Sequence, residues 1–186
     1  MPKDQRRIQL LETASAIVRS QGTDALTLAH LAEQAGVTKP IAYEHFGTRA
    51  GLLIALYRHY DDRQAQAAKV ALEANAATLK DAVAILSAAY VDCVLSAGPE
   101  FGAIAAALSA TEEMDDFRQT LRDGYVELYR QALSQFVALP SPEARVILLG
   151  VIGAADALSQ AAAAGRLSRA AAISALSRIM MGALGA

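Results

Sequence analysis

Two short runs of helical periodicity stand back to back between residues 28 and 46, "LAHLAEQAGVTKPIAYEHF", with only Ala35-Gly36-Val37 between them. Leu28, Leu31, Ala32 and Ala35 share one face of the first run. Thr38 stands where a cap of the second run belongs, and Pro40 in its first turn forfeits no needed hydrogen bond. Gly36 ends the first helix and supplies the backbone freedom for so tight a connection. The rest of the chain offers no alternative to helix. No period-2 run rich in Val, Ile or Thr is long enough for a strand. Hydrophobic residues make up 54% of 186 residues, much of this alanine, and aromatics only 5%; alanine and leucine lead the helix scale. The expectation is an all-α chain of about nine helices.

Local signals set the boundaries. The first helix is predicted from about Asp4, its N-cap, to Gln21. Its inner face is Ile8, Leu11, Ser15 and Val18, widened by Leu10, Ala14 and Ile17, and Gly22 closes it. Thr27 caps the second helix and Gly47 ends the third. Thr48 opens a long fourth helix, with Leu52, Leu53, Leu56, Tyr57 and Tyr60 inside. Thr78 with Asp81 forms a capping box for the fifth. Gly98-Pro99 closes that helix and opens a sixth. Thr111-Glu112-Glu113 starts the seventh, with acids at its positive dipole end. Pro140-Ser141-Pro142-Glu143 precedes the eighth, Gly165 ends it, and Ser168 caps the ninth.

Charge and special residues narrow the function. The net charge is −2, yet residues 1–60 carry seven Lys/Arg against five Asp/Glu and all three histidines. Contact with a polyanion therefore belongs to the N-terminal part. His30, His45 and His59 share no metal-ligand spacing with a cysteine or carboxylate. Cys93 has no visible base, and no Gly-rich phosphate loop follows a strand. Neither enzymatic activity, metal nor cofactor is expected. "MPKDQRRIQL" has no apolar signal region. The most apolar stretch, "VILLGVIGAADALSQAAAAG", holds Asp156 and Gln160 and reads as a buried helix, so no membrane association is expected. With one cysteine, a cytoplasmic protein is the default.

The opening segment has the spacing of a helix-turn-helix, whose second helix enters the major groove of double-stranded DNA. Thr38 and Lys39, at the helix start, are nearest to base edges. Lys39 can donate to guanine and Ile41 can touch a thymine methyl. Tyr43 and His45 offer donors to phosphates, as does Thr27; Arg49, at the start of the fourth helix, is another phosphate candidate. Glu44 would repel phosphate and is expected to point away.

This segment, "TLAHLAEQAGVTKPIAYEHFGTRAGLL" preceded by "IQLLETASAIVRSQG", resembles the DNA-binding domain of the TetR family of transcriptional regulators. The matching features are the glycine-containing connection, a Thr before the second helix and the Ala-Gly-Val turn. Tyr and Phe around a His, and a basic residue before a Leu-rich helix, complete the set. Arg49 stands where lysine is more usual. The resemblance implies a helix-turn-helix domain over residues 1–47 and a helical ligand-binding and dimerisation domain over 48–186, joined by the fourth helix. It further implies a homodimer on a palindromic operator, and a repressor released by a small-molecule effector. A helical ligand- or protein-binding module without DNA-binding activity is the alternative.

Small residues recur in the eighth helix at Ala154, Ala157, Ala161 and Ala164, extended by Gly150 and Gly153. The ninth offers Ile173, Leu176, Met180 and Ala183. Small residues allow close helix approach. These stripes suit the four-helix dimer interface that the resemblance implies, or alternatively the protomer's own core. Candidate pocket walls are Tyr90, Cys93, Phe101, Met114, Phe117 and Tyr125. Asp92, in an otherwise apolar helix, needs a partner: an arginine, a helix end, a ligand or water. Asp156 poses the same question.

Overall fold

A computed structural model describes residues 1–96, 112–139 and 141–185, with all side chains there except those of 64, 112–115, 118, 141 and 142. Among the described residues there are eight helices and no strand. They are α1 (Lys3–Gln21), α2 (Leu28–Gln34), α3 (Lys39–Phe46), α4 (Arg49–Asn75), α5 (Leu79–Ser96), α6 (Glu112–Leu133), α7 (Ser141–Ala163) and α8 (Arg169–Ala183). The all-α expectation holds. The helix expected after Gly98-Pro99, the Thr111 cap and Pro140 lie outside the described residues. The chain divides into two compact units, Met1–Asp62 with Ala97–Phe117, and Arg63–Ser96 with Arg118–Ala186.

In the first unit α1 buries Leu10, Leu11, Ala14, Ile17 and Val18. Ile8, expected on that face, is 48% exposed. The buried stripe begins only at Leu10, and Ile8 lies off its line. Asp4 sits in the first turn rather than at the cap, which is Pro2, so it meets the helix dipole without a capping bond. Gly22 closes α1 at φ +84°, its N–H donating to the Val18 carbonyl at 2.9 Å. Leu52, Leu53 and Leu56 of α4 are buried, and the Tyr60 hydroxyl shares a hydrogen bond with Ser15 of α1.

In the second unit α5 packs against α7 and α8, which also pack on each other. Leu86, Tyr129, Leu148, Ile152, Leu176 and Met180 form the centre of its core. The capping box at α5 is reciprocal: Thr78 N–H donates to Asp81 Oδ2 at 3.0 Å and Asp81 N–H to Thr78 Oγ1 at 3.2 Å. Ser168 Oγ accepts from Ala171 N–H at 3.1 Å and opens α8. The two small-residue stripes part company here. Gly150, Gly153 and Ala157 of α7, and Ala164 just beyond its end, are exposed, whereas Leu176 and Met180 of α8 are fully buried in their own protomer. The free apolar side of α8 carries Ile179, Gly182 and Ala183 instead. Helical period alone cannot tell which of two apolar faces meets the core. Glu143–Ala163 is long and apolar enough to cross a membrane by composition, with only a third of it buried. That openness coincides with the small-residue face of α7.

Candidate nucleic-acid interface

The turn between α2 and α3 closes through backbone bonds. Ala35 N–H reaches the Leu31 carbonyl at 2.9 Å, Gly36 N–H that of Glu33 at 3.2 Å, and Val37 N–H that of Ala32 at 2.9 Å. Gly36 takes φ +66°, a conformation an L side chain resists. Ala42 and Phe46 are buried and seat α3. At its far end Gly47, also at φ +66°, donates to the Tyr43 carbonyl at 2.8 Å. Thr48 Oγ1 then accepts from Gly51 N–H at 3.0 Å and opens α4.

Seating Ala42 and Phe46 leaves Lys39, Pro40, Tyr43 and Glu44 on the exposed side of α3, with Ile41 and His45 half-buried on its flank. Tyr43 is 53% exposed. Thr27 is exposed and caps α2, accepting from His30 N–H at 3.1 Å. Thr38 occupies the cap position of α3 but makes no side-chain capping bond. The cause is local. A cap hydroxyl accepts from the second or third helical N–H; the second is Pro40, which has none, and the third, from Ile41, goes to the Thr38 carbonyl at 3.0 Å. The Thr38 side chain, exposed beside Lys39, is thus not spent on the helix.

Arg49 is occupied within the unit. Its Nε donates to the Leu26 carbonyl at 2.9 Å and its Nη2 to the Thr23 carbonyl at 2.6 Å, with Asp24 at 4.0 Å. It braces the loop before α2, a task suited to the planar fork of arginine. Glu44 is not turned off the exposed side; Lys3 of α1 holds its Oε1 at 3.0 Å. The Lys3 hydrogen bond and charge keep the Glu44 carboxyl below its ordinary range. The His45 ring lies 6.0 Å from that of Phe46, and its carbonyl accepts from Arg7 Nη1 at 2.7 Å. Partial burial lowers the His45 pKa most; Glu44 opposes it, and Lys3, Arg7 and Arg6, each weaker than Glu44, push it down further, so the net shift is downward. At neutral pH the ring is an uncharged donor and acceptor.

The expected pocket residues do not all meet. In the second unit Tyr90, Cys93 and Tyr125 border one cavity, with Tyr129, Leu86 and three alanines, Ala65, Ala68 and Ala89. The cavity holds about 10 Å³, room for about one water. The Tyr125 ring lies tilted against that of Tyr90, centroids 5.3 Å apart, and edge-on to that of Tyr129 at 6.5 Å; the buried Tyr129 hydroxyl donates to the Leu86 carbonyl at 3.3 Å. Burial raises the Tyr129 pKa far above its ordinary value. Asp92 does not border this space. It takes both arms of Arg169, Nε at 2.5 Å and Nη2 at 2.6 Å, on the exposed side. Phe117 is buried in the first unit, edge-on to Tyr57 at 5.4 Å and beneath Arg58 at 5.3 Å. Asp156 is exposed to water. Phe101 and the Met114 side chain lie outside the described residues.

Sequence reasoning missed Lys3, Arg7 and Tyr129. The stripe Val18, Ala14, Leu10, extended backwards by helical steps of three and then four, reaches Arg7 and Lys3, so a signal was present. Tyr129 lies one helical turn from Tyr125 and could have been found by the same rule.

Residues 10–56 match the model of the tetR family of bacterial regulatory proteins. Over 63 residues, a third of this chain, it is 41% identical to the HTH-type transcriptional activator FasR of Mycolicibacterium smegmatis. Over 81 residues, 44% of the chain, it is 36% identical to the HTH-type transcriptional regulator BetI of Rhizobium meliloti. These alignments span only 29% and 39% of the two relatives. The fold extends further. A TetR-family regulator from Streptomyces coelicolor aligns over 97% of this chain and 98% of its own, with TM-score 0.70 and 20% identity. A transcriptional regulator from Pseudomonas aeruginosa aligns over all of this chain and 93% of its own, with TM-score 0.72 and 13% identity.

Proposed function

We propose that this chain, placed in the tetR family of bacterial regulatory proteins by its N-terminal domain, is a homodimeric transcriptional regulator that reads a palindromic operator with α3. The observation that carries this reading is the exposed side of α3, held out by the Gly36 turn and presenting Lys39 and Tyr43, with Thr38 unspent in front of them. Thr38, Lys39 and Ile41 face bases; Tyr43, His45 and Thr27 give donors to phosphates; Arg49 supports the loop that positions Thr27. Cytoplasmic residence and the lack of an enzymatic role follow from this reading.

The second copy covers the free sides of α7 and α8. Along α7, Val146 is 71% and Leu149 48% exposed at helical spacing with Gly150, Gly153 and Ala157, and Ile179 of α8 is 43% exposed; apolar side chains left out in this way suit a partner. The two-fold axis of such a pair requires a two-fold operator.

The effector is an apolar small molecule that enters between Tyr90 and Tyr125 and relieves repression. The cavity has room for about one water, so a larger occupant must displace side chains that line it. A molecule that binds an opened state better than this one shifts the equilibrium between them.

Selecting duplexes from a random pool with the purified full chain tests the reading. A palindromic product is expected, with dimers by sedimentation at micromolar concentration. Absence of any selected duplex would leave a helical ligand-binding module as the better description.

A further inference from the structure

A helix of two turns has more unsatisfied terminal groups than internal bonds, so α3 depends on its surroundings for its direction. Its start is fixed by the turn from α2. Its end is fixed from α1. Arg7 Nη1 donates to the His45 carbonyl at 2.7 Å, and the same guanidinium lies 4.9 Å from the centre of the Phe46 ring. One half-buried side chain thus grips two consecutive residues at the end of α3 by two different interactions. An arginine at the last carbonyls also faces the negative end of the helix. Of the exposed residues of α3, Lys39 and Tyr43 lie at its start and middle, where a tilt of the far end would swing them.

We infer that Arg7 is a positioning residue for operator recognition: it sets the angle at which α3 presents Lys39 and Tyr43, without touching the duplex. This rests on the proposed DNA-binding function. A phosphate-binding role and a positioning role differ measurably. Removing a phosphate-binding cation weakens all sequences alike and lowers the slope of affinity against salt by about one per phosphate. Misdirecting α3 weakens base recognition and leaves the slope.

The test uses the full-length chain, R7Q and R7K, with a duplex selected by the wild type and an unrelated duplex of the same length, titrated by fluorescence anisotropy over a range of salt. R7Q is expected to bind the selected duplex about tenfold or more weakly and the unrelated one nearly as before, at unchanged slope. R7K, which keeps a donor for the carbonyl but no planar face for Phe46, should recover part of the affinity. Equal weakening on both duplexes with a reduced slope would make Arg7 a phosphate ligand and overturn the inference, as would R7Q binding like the wild type. Amide exchange without DNA is a second readout: faster exchange at Gly47 and Thr48 in R7Q supports the grip, and unchanged exchange overturns it. If the wild type selects no duplex, the functional reading fails, and the exchange experiment still judges the grip.

Discussion

Gly51, in the first turn of α4, lies so close to the carbonyl oxygen of Phe46, the last residue of α3, that a Cβ there would stand 2.3 Å from it. The obstacle is backbone, which cannot rotate away. Gly51→Ala is therefore expected to destabilise the first unit by about 1–3 kcal/mol through forced displacement of the α3–α4 junction. Thermal unfolding measures it. An unchanged midpoint would show that the junction has slack the geometry denies.

Tyr43→Phe removes a hydroxyl exposed on α3 and should weaken selected and unrelated duplexes alike. Lys39→Ala should instead relax preference at particular bases, by about 1–3 kcal/mol for each base that Lys39 reads. Equal weakening on every duplex in the Lys39 variant would move Lys39 from base to phosphate.

Glu44 sits on the exposed side of α3 with its charge balanced by Lys3. Both side chains are largely in water, so their pairing matters little to folding. On DNA the carboxylate opposes phosphate. Glu44→Gln is expected to raise affinity for all duplexes severalfold, most at low salt. Lys3→Gln should lower affinity, and far less so in the Glu44→Gln background. Equal effects in both backgrounds would mean that Lys3 contacts DNA on its own account.

His45 has a folded pKa below its ordinary 6.5. The unfolded chain therefore binds more protons in that range, and stability rises with pH through it. The contribution is present above pH 6.5, falls as pH drops toward the folded pKa, and is fully lost below that. His45→Gln should flatten this part of the stability curve, measured by denaturant unfolding at a series of pH values. A slope identical in the two proteins would assign it to another group.

On α7 and α8, exposed and buried positions predict opposite outcomes. Ala157→Arg, on the exposed side of α7, should give folded monomers by sedimentation. Leu176→Ala, in the core, should cost about 2–5 kcal/mol of stability. Dimers that survive Ala157→Arg would place the interface elsewhere.

The sequence alone determined most of the described helices, several of their caps and the turn at Gly36, because these depend on neighbours within a few residues. Thr27, Ser168 and the Thr78–Asp81 box all cap as their spacing indicates. It also placed Tyr43 and Lys39 on one exposed side, since burial of Ala42 and Phe46 leaves them no other. Only the tertiary structure decided what long side chains reach. Arg7 and His45 are 38 positions apart, Arg49 and Thr23 are 26, and Asp92 and Arg169 are 77. Tertiary packing likewise chose which apolar side of α8 meets the core, sending Leu176 and Met180 inward and leaving Ile179 out. Helical period gives the angle between residues on one element. It carries no information about the direction from which a second element approaches, and every one of these interactions is set by that direction.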